Sequence, residues 1–153
     1  MEVVTNSGGK TAGVDGIVLA DPAEYYRAIG KLKTIVENPN KYEASPVRRV
    51  LIPKPGKKEM RGLGIPTIAD RIVQAVYHMA VDPVVECQSD INSYGFRKER
   101  STLDAISYFR NYMDKHYAPR LVLEADISKC FDKISHEFML RNTPICDKYV
   151  LKQ

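Results

Sequence analysis

An α+β fold is what this sequence predicts, and three observations carry the prediction. Helical periodicity behind a recognisable cap recurs in several stretches, two short β-rich runs flank a Pro-Gly turn between residues 47 and 65, and no apolar run dominates the chain. At 153 residues, 44% hydrophobic and 27% charged, the composition is that of a soluble globular chain long enough to bury a core.

Residues 1–20 are rich in Gly, Ser, Thr and Asn and read as an extended arm. A first helix opens at Asp21-Pro22-Ala23-Glu24. Asp caps, Pro suits the first helical position, and Glu three residues on can return a bond to the cap amide. Tyr25, Ile29, Leu32 and Val36 recur at helical spacing, which predicts one buried face, and Asn38-Pro39-Asn40 stops the helix. Residues 47–52 and 61–65 read as strands of a hairpin with a polar tip around Pro55-Gly56. Thr67 and Asp70 occupy capping positions for a second helix with the stripe Ile68, Ile72, Val76 and Met79, which Pro83 should end or kink. Ser101 and Asp104 repeat that start for a third, with Leu103, Ile106 and Met113 on one side. Residues 121–127 alternate well enough for a strand in which Val122, Glu124 and Asp126 share a face. Helices are expected again over 135–141 and 146–153.

Several function classes drop out. The three cysteines (Cys87, Cys130, Cys146) are neither an even set nor a CxxC pair, and His78, His116 and His136 are scattered, so neither a disulfide framework nor a zinc site is expected. No stretch approaches the roughly 20 apolar residues of a membrane span, and the start lacks a signal-peptide core, which suggests a cytoplasmic protein with no membrane partner. The charge is unevenly placed. Six basic residues (Arg48, Arg49, Lys54, Lys57, Lys58, Arg61) and one acid (Glu59) fall within 47–61, a net of +5 in a chain of +4. Such concentration suggests a polyanion contact, the plainer alternative being a solvated charged loop.

Four segments occur in order: KTAGVDGI (10–17), IPKPG (52–56) running on to RGLGIPT (61–67), SYGFR (93–97) and ADISKCFD (125–132). In this the chain resembles reverse transcriptases encoded by group II introns, with CRISPR-associated and other group II-like bacterial enzymes close behind. The resemblance implies the fingers and first palm segment of a right-hand polymerase, with helices packed on short antiparallel strands. It divides the chain into an N-terminal arm (1–20), fingers (21–118) and the start of a palm (119–153). The implied activity is RNA-directed DNA polymerisation, with a splicing (maturase) role as a further expectation for the full protein. The implied partners are an RNA template, a DNA primer, deoxynucleoside triphosphates and intron RNA.

Nucleotidyl transfer needs two divalent ions about 3.5–4 Å apart, held by hard oxygen ligands. Asp126, leaving an apolar run at a turn, is placed to supply one, although a turn-capping role would put the same residue there. The resemblance makes Asp126 the catalytic carboxylate and a Mg2+ ligand, with the Ile127 backbone carbonyl helping to hold one ion. It sets Phe131 beneath the incoming sugar, where an aromatic ring excludes a 2′-hydroxyl, and leaves Asp132 a structural position. Lys54 and Arg61 become triphosphate contacts. Arg48, Arg49, Lys57 and Lys58 meet template backbone or solvent, Arg71 and Gln74 lie on a helix face that could touch template, and Arg97 contacts a template phosphate.

The sequence departs from the family in places. Lys98-Glu99 stands where Pro-Gly is common, Ser128-Lys129-Cys130 is unusual, and the Tyr-Ala-Asp-Asp block is not in this sequence. The chain alone is therefore expected not to extend a primer. The alternative reading is an inactive fragment that binds RNA or self-associates, with a homodimer formed through an open palm strand at 121–127.

Overall fold

Capping chemistry determines where the helices begin. In a computed structural model, which describes residues 2–56, 58–128 and 130–145, the Asp21 carboxylate accepts the Glu24 amide and starts α2 (Pro22–Glu37). The Glu24 carboxylate accepts from the amide of Ala20, one residue before the cap rather than from the cap itself. Ser101 and Asp104 close a full capping box at the head of α4 (Thr102–Met113). The Ser101 hydroxyl, and then the Ser101 amide, donate to the Asp104 carboxylate and hold it below its ordinary range. Ser135 caps α6 (His136–Asn142) through the Phe138 amide.

The remaining elements are α1 (Glu2–Thr5), a 3-10 turn (Ser7–Lys10), a second 3-10 turn (Pro39–Lys41), β1 (Arg48–Pro53), β2 (Met60–Ile65), α3 (Ile68–Gln88) and α5 (Cys130–Lys133). The two strands form an antiparallel hairpin, with Arg48 opposite Ile65 and Pro53 opposite Met60. The chain divides into two compact units, one up to Val81 and one over Asp82–Pro144, with the boundary inside α3. Among the described residues the apolar core is small. Ile68 and Val73 are buried, and the buried polar pair Thr67 and Asp70 lies beside them, so the core gathers at the first turns of α3.

Two expectations are corrected and a third is narrowed. The α2 stripe is not buried: Ile29 is 59% exposed, and Tyr25, Ile29 and Leu32 line an open apolar cavity of about 600 Å3 shared with Ile72, Val76 and Met79 of α3. The two helices approach without closing on each other. Of the end or kink expected at Pro83, the end does not occur, since α3 continues to Gln88. Proline removes one ladder bond, that to the Met79 carbonyl, and the flanking turns keep theirs. On α4, Leu103 and Ile106 are 72% and 55% exposed. Residues 121–127 form no strand: they have no regular structure and no ladder partner among the described residues, and Leu121, Val122 and Leu123 are exposed. Alternation is a property of one segment, whereas a strand is a property of a pair. The homodimer expected at that edge therefore has no assigned strand to rest on. The helix expected over 146–153 lies outside the described residues, as do Lys57 and the side chains of Phe131 and Asp132.

Candidate functional site

The hairpin is closed by its own charges. Gly56 takes a positive φ of 69°, the left-handed conformation glycine adopts without strain. The Lys54 amide donates to the Glu59 carbonyl at 3.0 Å. The Lys54 ammonium reaches the Glu59 carboxylate at 2.6 Å, and this contact holds Glu59 below the usual carboxylate range. The predicted triphosphate lysine is thus charge-paired across the turn.

Antiparallel register sorts the other cations by face. Arg48, Val50 and Ile52 share one face with Ile65, Leu63 and Arg61, so two arginines frame an aliphatic strip. On the opposite face, Arg49 pairs with Gly64 and its side chain extends diagonally over Gly62. A Cβ at Gly62 would come within 3.1 Å of the Arg49 Nε, so glycine makes the room the guanidinium uses. Arg48, Arg49, Lys58 and Arg61 are exposed and form no ion pair among the described residues.

At the head of α3 the segments 8–13, 42 and 66–71 converge. The Thr67 hydroxyl accepts the Asp70 amide at 3.2 Å and donates to the Asp70 carboxylate. The other carboxylate oxygen accepts the Tyr42 hydroxyl at 2.6 Å. Burial, and then the Asp70 bond and charge, push the Tyr42 hydroxyl above its ordinary range. Arg71 points inward: its Nη1 donates to the Gly8 carbonyl (2.8 Å), its Nη2 to the Thr11 carbonyl (2.6 Å), and Nε and Nη2 both to the Pro66 carbonyl. The KTAGVDGI segment is thereby docked onto the end of RGLGIPT. Gly13 sits so close to Thr67 that a Cβ would meet its Cα at 2.7 Å. The position expected to face template instead braces the fold.

Arg97 is also engaged. Its Nε pairs with the Glu86 carboxylate, its Nη2 reaches the Glu86 carbonyl, and its side chain is only 10% exposed. Arg100 binds the second Glu86 oxygen at 2.8 Å and donates to the carbonyls of Ile91 and Ser93. Two guanidinium groups, Arg97 first, draw Glu86 down to about 2. Arg100 also lies 5.9 Å from the Tyr94 ring centroid. Sequence reasoning missed Glu86, Arg100, Tyr42 and Gly13. Arg100 left a trace as the third base of the run 97–100, and Gly13 as a member of the KTAGVDGI block.

Asp126 lies in the exposed irregular stretch before α5, and its carboxylate has no hydrogen bond or ion pair among the described residues. Ile127 beside it is 73% exposed. An uncommitted carboxylate followed by an accessible carbonyl offers two hard oxygens, suited to part of a magnesium shell and not to a softer metal. Among the described residues no group of three or more His, Cys, Asp or Glu side chains could enclose an ion. No helix among them is long and apolar enough to cross a membrane.

The family model for reverse transcriptase (RNA-dependent DNA polymerase) matches residues 52–146. Protein YkfC of Escherichia coli (strain K12) is 40% identical over 102 residues, covering 65% of this chain and 26% of that protein. The group II intron-encoded protein LtrA of Lactococcus lactis subsp. cremoris is 33% identical over 134 residues, 86% of this chain and 21% of LtrA. The putative COX1/OXI3 intron 1 protein of Saccharomyces cerevisiae is 38% identical over 101 residues, 66% of this chain and 12% of that protein. The chain spans about a quarter or less of these relatives' length.

Proposed function

This chain belongs to the reverse transcriptase (RNA-dependent DNA polymerase) family, and on that premise we propose that it is the fingers and first palm segment of a group II intron-type enzyme that copies RNA into DNA. The observation that carries the proposal is the order of blocks within residues 52–146: a basic hairpin, the SYGFR loop, then an exposed Asp126 with no competing partner among the described residues.

Each residue has a physical task. Lys54 and Arg61 hold the triphosphate, Lys54 by exchanging Glu59 for phosphate oxygens and Arg61 through a planar fork that fits them two at a time. Arg48, Arg49, Lys57 and Lys58 bind the sugar-phosphate backbone of the template without reading its sequence. Phe131 excludes the 2′-hydroxyl of a ribonucleotide. The family uses divalent metal ions, and Asp126 with the Ile127 carbonyl would hold magnesium. When bound, that cation stabilises the negative charge developing on the attacking and leaving oxygens. A maturase role on intron RNA belongs to the same proposal, through the relationship to an intron-encoded protein.

The test is primer extension on an RNA template by a polypeptide of the relatives' length that carries this chain. Asp126→Ala should abolish extension, Lys54→Ala and Arg61→Ala should raise KM for the triphosphate, and Phe131→Ala should admit ribonucleotides. Extension that survives Asp126→Ala rejects the assignment.

A further inference from the structure

Phe96 is the most exposed large apolar residue among those described, at 100%. Its backbone has a φ of 58°, a left-handed conformation uncommon outside glycine. Neither feature helps the fold: the ring buries nothing, and the conformation is unfavourable for a side chain with a Cβ. The loop that presents the ring is nevertheless firmly held. On one side, Ser93 gives its carbonyl to Arg100 and its amide to Asp90, and Tyr94 packs beside Arg100 and Tyr108. On the other, Arg97 is anchored to Glu86 and Lys98 to Asp82 at 2.8 Å. A rigid mount thus offers a bare aromatic face to solvent, with the 63% exposed Lys98 two residues away. Aromatic faces beside cations are how proteins hold single-stranded nucleic acid without regard to sequence, because every base has a π-face.

We propose that Phe96 is a stacking platform for an unpaired base of single-stranded RNA. This rests on the reading of the chain as part of an RNA-copying enzyme. The loop's arginines are occupied in holding it, so the ring rather than Arg97 makes the contact with nucleic acid. Stacking on a fixed ring also accounts for a residue other than glycine at this backbone position.

The experiment titrates the chain into an oligoribonucleotide carrying 2-aminopurine, reading anisotropy for binding and fluorescence quenching for stacking. Wild type should bind and quench. Phe96→Ala should weaken binding about tenfold and remove quenching, with the salt slope unchanged because no charge is lost. Phe96→Tyr should retain both, and Phe96→Leu should behave like Ala. Thermal unfolding of each variant checks the fold, and the Tyr and Leu pair decides the matter if Ala unfolds. Wild-type binding that Phe96→Ala and Phe96→Leu leave intact overturns the stacking platform and spares the enzymatic reading. Leu equal to Phe, with no quenching by either, also overturns it, since the site would then be merely apolar. No anisotropy change with wild type at low salt overturns the stacking platform, while the enzymatic reading stands or falls on primer extension by the longer polypeptide.

Discussion

The head of α3, with one arginine, and the β1–β2 hairpin, with three, are adjacent in sequence, yet they use their charges in opposite ways. At the head of α3, Arg71 faces inward and ties three carbonyls, while Asp70, 4% exposed, joins Tyr42 to Thr67. In the hairpin, Arg48, Arg49 and Arg61 stand in water with no carboxylate beside them among the described residues. The difference teaches that a basic residue near a polymerase motif has no fixed meaning. Where carbonyls surround it, it is a brace; where nothing does, it remains available to a polyanion.

The contrast predicts large stability effects at one region and small ones at the other. Asp70→Ala should cost the most, about 3 kcal/mol in denaturant unfolding, because it strands two hydroxyls in poorly hydrated positions. Next come Gly13→Ala, at about 2 kcal/mol because the added Cβ meets Thr67 backbone rather than a movable side chain, and Arg71→Ala at a similar magnitude. If Arg71→Ala instead left stability intact and flattened the salt dependence of RNA binding, the division between brace and contact would be wrong.

Tyr42→Phe should cost about 1 kcal/mol, and its pH dependence carries a sign. The folded hydroxyl titrates above its unfolded value, so the neutral form is the one the fold favours. Its contribution is fully present below about pH 10 and is lost as pH rises from there through the folded value. Wild type should therefore lose stability more steeply than Tyr42→Phe above about pH 10 in alkaline unfolding curves; parallel curves would mean that the hydroxyl is not held as described. The smallest stability effect belongs to the triple variant Arg48→Ala, Arg49→Ala, Lys58→Ala, within about 0.5 kcal/mol of wild type. Its effect lies in binding: the slope of log affinity against log salt for single-stranded RNA should shrink by about 2. An unchanged slope would remove the hairpin from the RNA interface.

Local chemistry was legible and distant chemistry was not. The caps at Asp21, Thr67 and Ser101 could be read because donor and acceptor lie three residues apart. The hairpin could be read because β-rich runs flank a Pro-Gly turn. Tyr42 on Asp70 and Arg71 on Gly8 leave no periodic trace, since nothing in either segment's own pattern names the other. Residues 121–127 show the converse error, an alternating segment that promised a strand without a partner in the ladder. At the site, Asp126 was visible through its motif. That Arg71 and Arg97 are committed to internal partners was invisible, because an arginine reads the same whether it meets a carbonyl or a phosphate.

The tie from Arg71 to Gly8 spans 63 residues, against five for the Lys54–Glu59 contact at the hairpin tip. Closing the longer loop costs about 2 kcal/mol more in chain entropy. A hairpin forms in roughly 1–10 μs. On a ribosome, at about 5–20 residues per second, the segment bearing Gly8 is made several seconds before the arginine that will hold it. The segment bearing Gly8 thus waits for its anchor, and until Arg71 emerges the Gly8 and Thr11 carbonyls have only water to satisfy them.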